Sequence, residues 1–238
     1  MSSLAVRVYG VIRRPRVTFS AVVQAPSWAP VLIATTAVTF LCGIAFLRTE
    51  IGQQALVDQW ERTATAFGQP VDDEGYAQME MTARSGMFDI AYAAVTALAS
   101  GPALVFAVSG LLFGLVKRRG DVPRSRPSFV QVLAVVSYAT VILALRQIVA
   151  TPLDYVRETI ASPTTLVQLF SMLDEASPVA RFLGIVDLFV IWWIVVLAIG
   201  VSIVYQRSTR NVALVFTGAY VVLALLAALA MAASGGTT

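Results

Sequence analysis

Five long apolar stretches, separated by segments that alternate in charge, leave this chain few folds to choose from. They run from Pro30 to Leu47, Phe88 to Val116, Phe129 to Ala150, Phe182 to Tyr205 and Val212 to Ala233. A helix needs roughly 20 residues to cross about 30 Å of hydrocarbon, and each stretch is near or above that length. Only helices or closed barrels satisfy their backbone in lipid, and runs this long indicate helices. The expectation is an all-α polytopic membrane protein with five transmembrane helices, an N-terminal amphipathic interfacial helix and short helices in the outer loops. Residues 1–29 would form the cytosolic leader, 30–233 the five-helix domain and 234–238 an extracytoplasmic tail.

Hydrophobic residues make up 58% of the chain and mean hydropathy is +0.77, well above soluble usage. The longest stretch outside the spans, Arg48 to Met87, leaves no room for a separate soluble domain. Sorting the charges by segment gives the orientation. Arg7, Arg13, Arg14 and Arg16 precede the first span, Lys117, Arg118, Arg119, Arg124 and Arg126 follow the second, and Arg207 and Arg210 follow the fourth. The other loops are acidic on balance, with Arg48, Arg62 and Arg84 against Glu50, Asp58, Glu61, Asp72, Asp73, Glu74 and Glu80 in the first and Arg146, Arg157 and Arg181 against Asp154, Glu158, Asp174 and Glu175 in the next. Positive-inside bias puts the N-terminus in the cytoplasm and the C-terminus outside. No cleaved signal peptide is expected.

Leu4, Ala5, Val8, Val11 and Ile12 recur at helical spacing, followed by Arg13, Arg14 and Arg16. Two readings are open: an interfacial helix held by anionic headgroups through Arg7, Arg13, Arg14, Arg16, Lys117, Arg118 and Arg119, or a helix docked on the bundle. In the first outer loop, Ile51, Ala55, Leu56, Trp60, Ala64 and Phe67 predict a helix stopped by Gly68 and Pro70. Asp72, Asp73 and Glu74 open a second helix that runs into the second span. Ser162 with Pro163 opens another, carrying Leu166, Leu169, Phe170 and Leu173, and Ser177 with Pro178 opens the fourth span.

The chain has no histidine, which removes histidine-based zinc sites, Ser/His dyads and imidazole relays. Its one cysteine, Cys42, excludes an intrachain disulfide. No catalytic constellation, metal site or cofactor is expected, and no nucleic-acid partner. Gly110 and Gly114 form a small-residue pair that marks close helix packing, and Gly101 with Pro102 should bend the second span. Asp89, Arg146 and Asp187 stand out as an intramembrane charge cluster, either a structural pairing or an ion or polar-substrate path.

The leader residues Pro15, Arg16, Thr18 and Phe19 ahead of Trp28 and Pro30, with Asp187, Leu188, Phe189, Trp192, Trp193 and Gly200 in the fourth span, resemble the Yip domain family of five-span Ypt-interacting membrane proteins. The resemblance implies a five-helix bundle with a cytosolic N-terminus. Eukaryotic members are linked to vesicle trafficking and bind prenylated Rab GTPases; this chain is similar to the shorter bacterial members, and no GTPase-contact residue carries over. The reading is a non-enzymatic integral protein of the bacterial cytoplasmic membrane, an interaction or membrane-organising module whose partners are membrane lipids, including anionic headgroups, and other membrane proteins or itself. The alternative is a small transporter or channel accessory with Asp89, Arg146 and Asp187 lining a polar path.

Overall fold

The computed structural model describes residues 3–118, 127–160, 163–169 and 178–234. Among these residues there is no strand, only an isolated antiparallel bridge between Thr165 and Asp187. Four helices are long and apolar enough to cross a membrane: Ala29–Leu47, Phe88–Gly114, Phe129–Val156 and Thr209–Ala230. A fifth apolar helix, Leu188–Val204, is shorter at 17 residues.

The leader is two helices rather than one, α1 (Leu4–Arg13) and α2 (Pro15–Gln24). Ser3 caps α1 by accepting from the Val6 amide, and the chain turns at Arg14 because Pro15, lacking an N–H and pre-set in φ, fits only the first helical position. The stripe Leu4, Val8, Val11 and Ile12 faces the protein core, and Ala5 is exposed. After α3 (Ala29–Leu47), Thr49 caps α4 (Glu50–Ala66), which ends where Gly68 takes φ 73°. Asp72 caps α5 (Asp73–Ala83) by accepting from the Gly75 amide at 2.8 Å, so the acidic run serves a helix start. This helix ends at Arg84 and does not run on into α6 (Phe88–Leu98).

A π-helical turn, Ala99–Ala103, separates α6 from α7 (Leu104–Arg118) and holds Pro102. Proline cannot donate to the helical ladder, and the wider turn accommodates it. Close packing adds to the constraint, since a Cβ on Gly101 would lie 2.6 Å from Thr36 Oγ1. Thr140 separates α8 (Phe129–Ala139) from α9 (Val141–Val156), which extends past the expected end at Ala150. Between α9 and the next helix only a 3-10 turn, Leu166–Leu169, is described; Ser162, Phe170, Leu173 and Ser177 lie outside the described residues. The expected continuous span from Phe182 to Tyr205 is broken into α10 (Pro178–Ile185) and α11 (Leu188–Val204), because Val186 and Asp187 pair with Thr164 to Leu166 instead. A tight turn with Gln206 at φ 51° leads into α12 (Thr209–Ser234).

The chain forms two compact units. The first comprises Met1–Val38, Thr96–Leu145 and Phe189–Gly218, the second Thr39–Val95, Arg146–Leu188 and Ala219–Thr238. At the centre of the first unit lies α8, buried throughout Val132 to Ala139, with Val11, Phe19 and Val22 of the leader, Val31 and Leu32 of α3, Val105 and Leu112 of α7 and Val196, Leu197 and Val201 of α11. Three of its hydroxyls are satisfied locally: Ser137 donates to the Leu133 carbonyl, Thr140 to that of Ser137, and Thr35 and Thr140 meet at 3.3 Å; Thr36 Oγ1, Ser109 Oγ and Trp193 Nε1 have no hydrogen-bond partner among the described residues. The second unit has a smaller core of Phe46, Leu47, Ala55, Leu56 and Ala93, with the edge-to-face rings of Trp60, Phe88 and Tyr92.

Candidate functional site

The two units differ sharply in charge. The residue ranges of the first hold eleven of the 17 basic residues and one acid, Asp121; those of the second hold six basic and thirteen acidic residues. Each unit boundary falls inside an apolar helix, between residues 38 and 39, 95 and 96, 145 and 146, 188 and 189, and 218 and 219.

In the basic unit the four leader arginines do different things. Arg7 donates to the Ala25 carbonyl at 3.2 Å, tying α1 to the end of α2. Arg16 donates to Thr209 Oγ1 at 3.0 Å, and Ser202 meets the same hydroxyl at 2.8 Å, so the leader is fixed to the turn between α11 and α12. The Arg13 guanidinium lies 5.6 Å above the Tyr9 ring, and Arg14 is exposed at the joint of the two helices. Lys117 and Arg118 are the last residues of α7, and Arg119 lies outside the described residues.

The charge cluster expected from Asp89, Arg146 and Asp187 resolves into two ion pairs, both in the second unit. Arg146 Nε donates to Asp187 Oδ2 at 2.7 Å, with 29% and 5% of the two side chains exposed. Thr164 Oγ1 donates to the same oxygen at 2.6 Å. Around the helix break, the Leu166 amide bonds the Val186 carbonyl at 2.8 Å and the Leu188 amide that of Thr164 at 3.0 Å. The Tyr220 hydroxyl donates to the Ile185 carbonyl at 2.8 Å and accepts from the Asp187 amide at 3.2 Å. Four separate pieces of chain therefore meet at Asp187, and the backbone groups released by the break are re-satisfied. Asp89 pairs with Arg48 instead, at 3.3 Å, and its other oxygen accepts from the Ile90 amide.

Thr164, Tyr220 and Arg48 give no signal in the sequence, since each partnership depends on a loop or on a distant helix. Asp154 does. It lies eight residues after Arg146, two turns along the same helix, within electrostatic reach of Arg146 and Arg157, and its buried Oδ1 has no hydrogen-bond partner among the described residues. A Cβ on Gly110 or Gly114 would meet nothing within 4 Å among the described residues. Close approach falls on Gly101 and on Gly200, where a Cβ would press on Val135 and on the Phe19 ring.

A family model, the Yip1 domain, matches residues 9–231 of this 238-residue chain. The chain belongs to the Yip1 domain family. No curated protein and no solved structure matches it. As a Yip1 domain protein with several apolar helices of membrane-spanning length it is a multi-pass membrane protein. The match takes in the second half of α1, all of α2 and every later helix as far as the last turn of α12.

Proposed function

We propose that this Yip1 domain protein is a non-enzymatic interaction or organising module of the bacterial cytoplasmic membrane. It crosses the bilayer five times, with the N-terminus in the cytoplasm and the C-terminus outside. The observation that carries this is the charge difference between the two compact units, whose boundaries all fall in apolar helices. The helix Leu188–Val204 serves as the fourth crossing; 17 residues span about 25 Å, short of the usual hydrocarbon thickness by an amount that flanking residues and local thinning accommodate. The basic half meets anionic lipid on the cytoplasmic side. Yip family proteins interact with other proteins, which supports a protein partner for this chain.

The ion pairs at Arg146 and Asp89 are read here as structural, since each carboxylate already has its cation and a hydrogen-bond donor. Gentle extraction from the native membrane followed by native mass spectrometry tests the module reading. A second protein recovered reproducibly at a fixed ratio is the expected result. A chain that emerges alone, or only with copies of itself, would contradict it and turn attention to flux measurements on the Asp187→Asn variant.

A further inference from the structure

We propose that the outward face of the α1–α2 hairpin, formed by Val6, Tyr9, Arg13, Arg14 and Val17, is a lipid anchor that takes up anionic headgroups of the adjoining leaflet. The proposal rests on the reading above that the basic unit meets membrane lipid, and it names the surface that does so.

The hairpin cannot roll to hide this face. Its opposite side is committed, with Val11, Phe19 and Val22 fully buried, Phe19 seated against Gly200, and Gln131 Nε2 of α8 donating to the Val23 carbonyl at 3.1 Å. What remains outward exposes three large apolar side chains, Val6 at 60%, Tyr9 at 59% and Val17 at 69%. A water-facing helix surface ordinarily carries polar residues at such positions. Here they are flanked by arginines alone: the first acidic residue in the chain is Glu50.

The tether fixes where the face can be. Only Ala25 to Trp28 separate the end of α2 from the start of α3, a reach of at most about 18 Å when fully extended. Because α3 is long and apolar enough to span a membrane, the hairpin is held close to the headgroup layer, which is several ångströms deep on each side of the hydrocarbon. An amphipathic surface at that depth buries its apolar side chains at the acyl boundary and leaves its cations among the phosphates.

The arginines divide accordingly. Arg7 and Arg16 are engaged with Ala25 and Thr209, so they hold the hairpin in place. The Arg13 guanidinium lies within cation–π range of Tyr9, and Arg14 is exposed beside it. A planar guanidinium binds phosphate through paired N–H groups, the chemistry a phospholipid headgroup offers.

The test uses the full-length chain with Cys42→Ser, carrying a single spin label at Val6→Cys, Val17→Cys or, as an aqueous reference, Gln69→Cys. Each is reconstituted in phosphatidylcholine vesicles and in vesicles with one quarter phosphatidylglycerol, and collision with oxygen is compared with collision with a water-soluble nickel chelate. Labels at 6 and 17 are expected to favour oxygen several-fold over the Gln69 reference, more strongly with phosphatidylglycerol, and the Arg13→Gln, Arg14→Gln double variant should lose the phosphatidylglycerol increment. Labels at 6 and 17 as open to nickel as Gln69 in both vesicles would overturn the anchor and leave the face to a protein partner. Depth unaffected by phosphatidylglycerol or by the double variant would overturn the anionic selectivity. Which side of the membrane the hairpin occupies is measured separately by side-selective labelling, so failure of the anchor and failure of the assigned orientation are distinguishable.

Discussion

Replacing Arg146 with alanine is expected to destabilise the protein by about 2 to 3 kcal/mol, a drop of several degrees in melting temperature in detergent. Removing one partner of a buried ion pair typically costs about 3 to 5 kcal/mol because the other charge is left uncompensated; the lower figure applies here because 29% of the Arg146 side chain is exposed. The group that loses this cation is Asp187, only 5% exposed, which keeps the Thr164 hydroxyl as a donor. Asp187→Asn alone should cost less, since the amide oxygen still accepts from Thr164 and Arg146. Adding Asp187→Asn to Arg146→Ala should recover a good part of the loss, because it removes the buried negative charge itself. Thermal unfolding of the four proteins closes the cycle. Strictly additive losses would mean that the two side chains are not coupled, and that the break before α11 is held by the backbone bonds between Leu188 and Thr164 and between Leu166 and Val186, with the Tyr220 hydroxyl, rather than by the ion pair.

Gly200→Val is expected to be the most damaging single change in the first unit, at about 2 to 3 kcal/mol. A Cβ at this position meets the Val135 side chain and lies 3.2 and 3.3 Å from two carbons of the Phe19 ring. Neither neighbour can yield, because α8 is buried on all sides and Phe19 is the residue that seats the leader on the bundle. Overpacking of a filled core typically costs about 1 to 3 kcal/mol. The same unfolding assay checks it, with Val135→Ala as the compensating change: the double variant should regain much of the lost stability. Gly110→Ala is the contrast, expected to stay within about 0.5 kcal/mol, since its Cβ would meet open space within the chain.

Much of this architecture is legible in the residues. Apolar runs placed three of the four long helices to within a few residues and stopped the one that starts at Phe129 six residues short, Gly101 with Pro102 marked the π-helical turn, and Asp72 and Gly68 marked helix ends by known capping chemistry. Each of those signals is local. The failures are where a distant partner decides. Nothing near Asp187 says that its backbone pairs with Thr165, so α10 and α11 read as one apolar run. The stripe of α1 was equally compatible with lipid and with a docked face; the structure puts Leu4, Val8, Val11 and Ile12 on the core, and that is what leaves Val6 and Tyr9 outward. Asp89 and Arg146 share a unit, yet Arg48 is the cation that Asp89 meets.

Side-selective cysteine labelling tests the central claim, a five-crossing chain with its basic half in the cytoplasm, most directly. In a Cys42→Ser background, single cysteines at Ser3, Gln69, Ser208 and Thr237 are exposed to a membrane-impermeant maleimide in intact cells and again after lysis. Gln69 and Thr237 should react in intact cells, and Ser3 and Ser208 only after lysis. Ser208 and Thr237 reacting from the same side would remove a crossing by α12, and Ser3 reacting in intact cells would reverse the orientation that the charges assign.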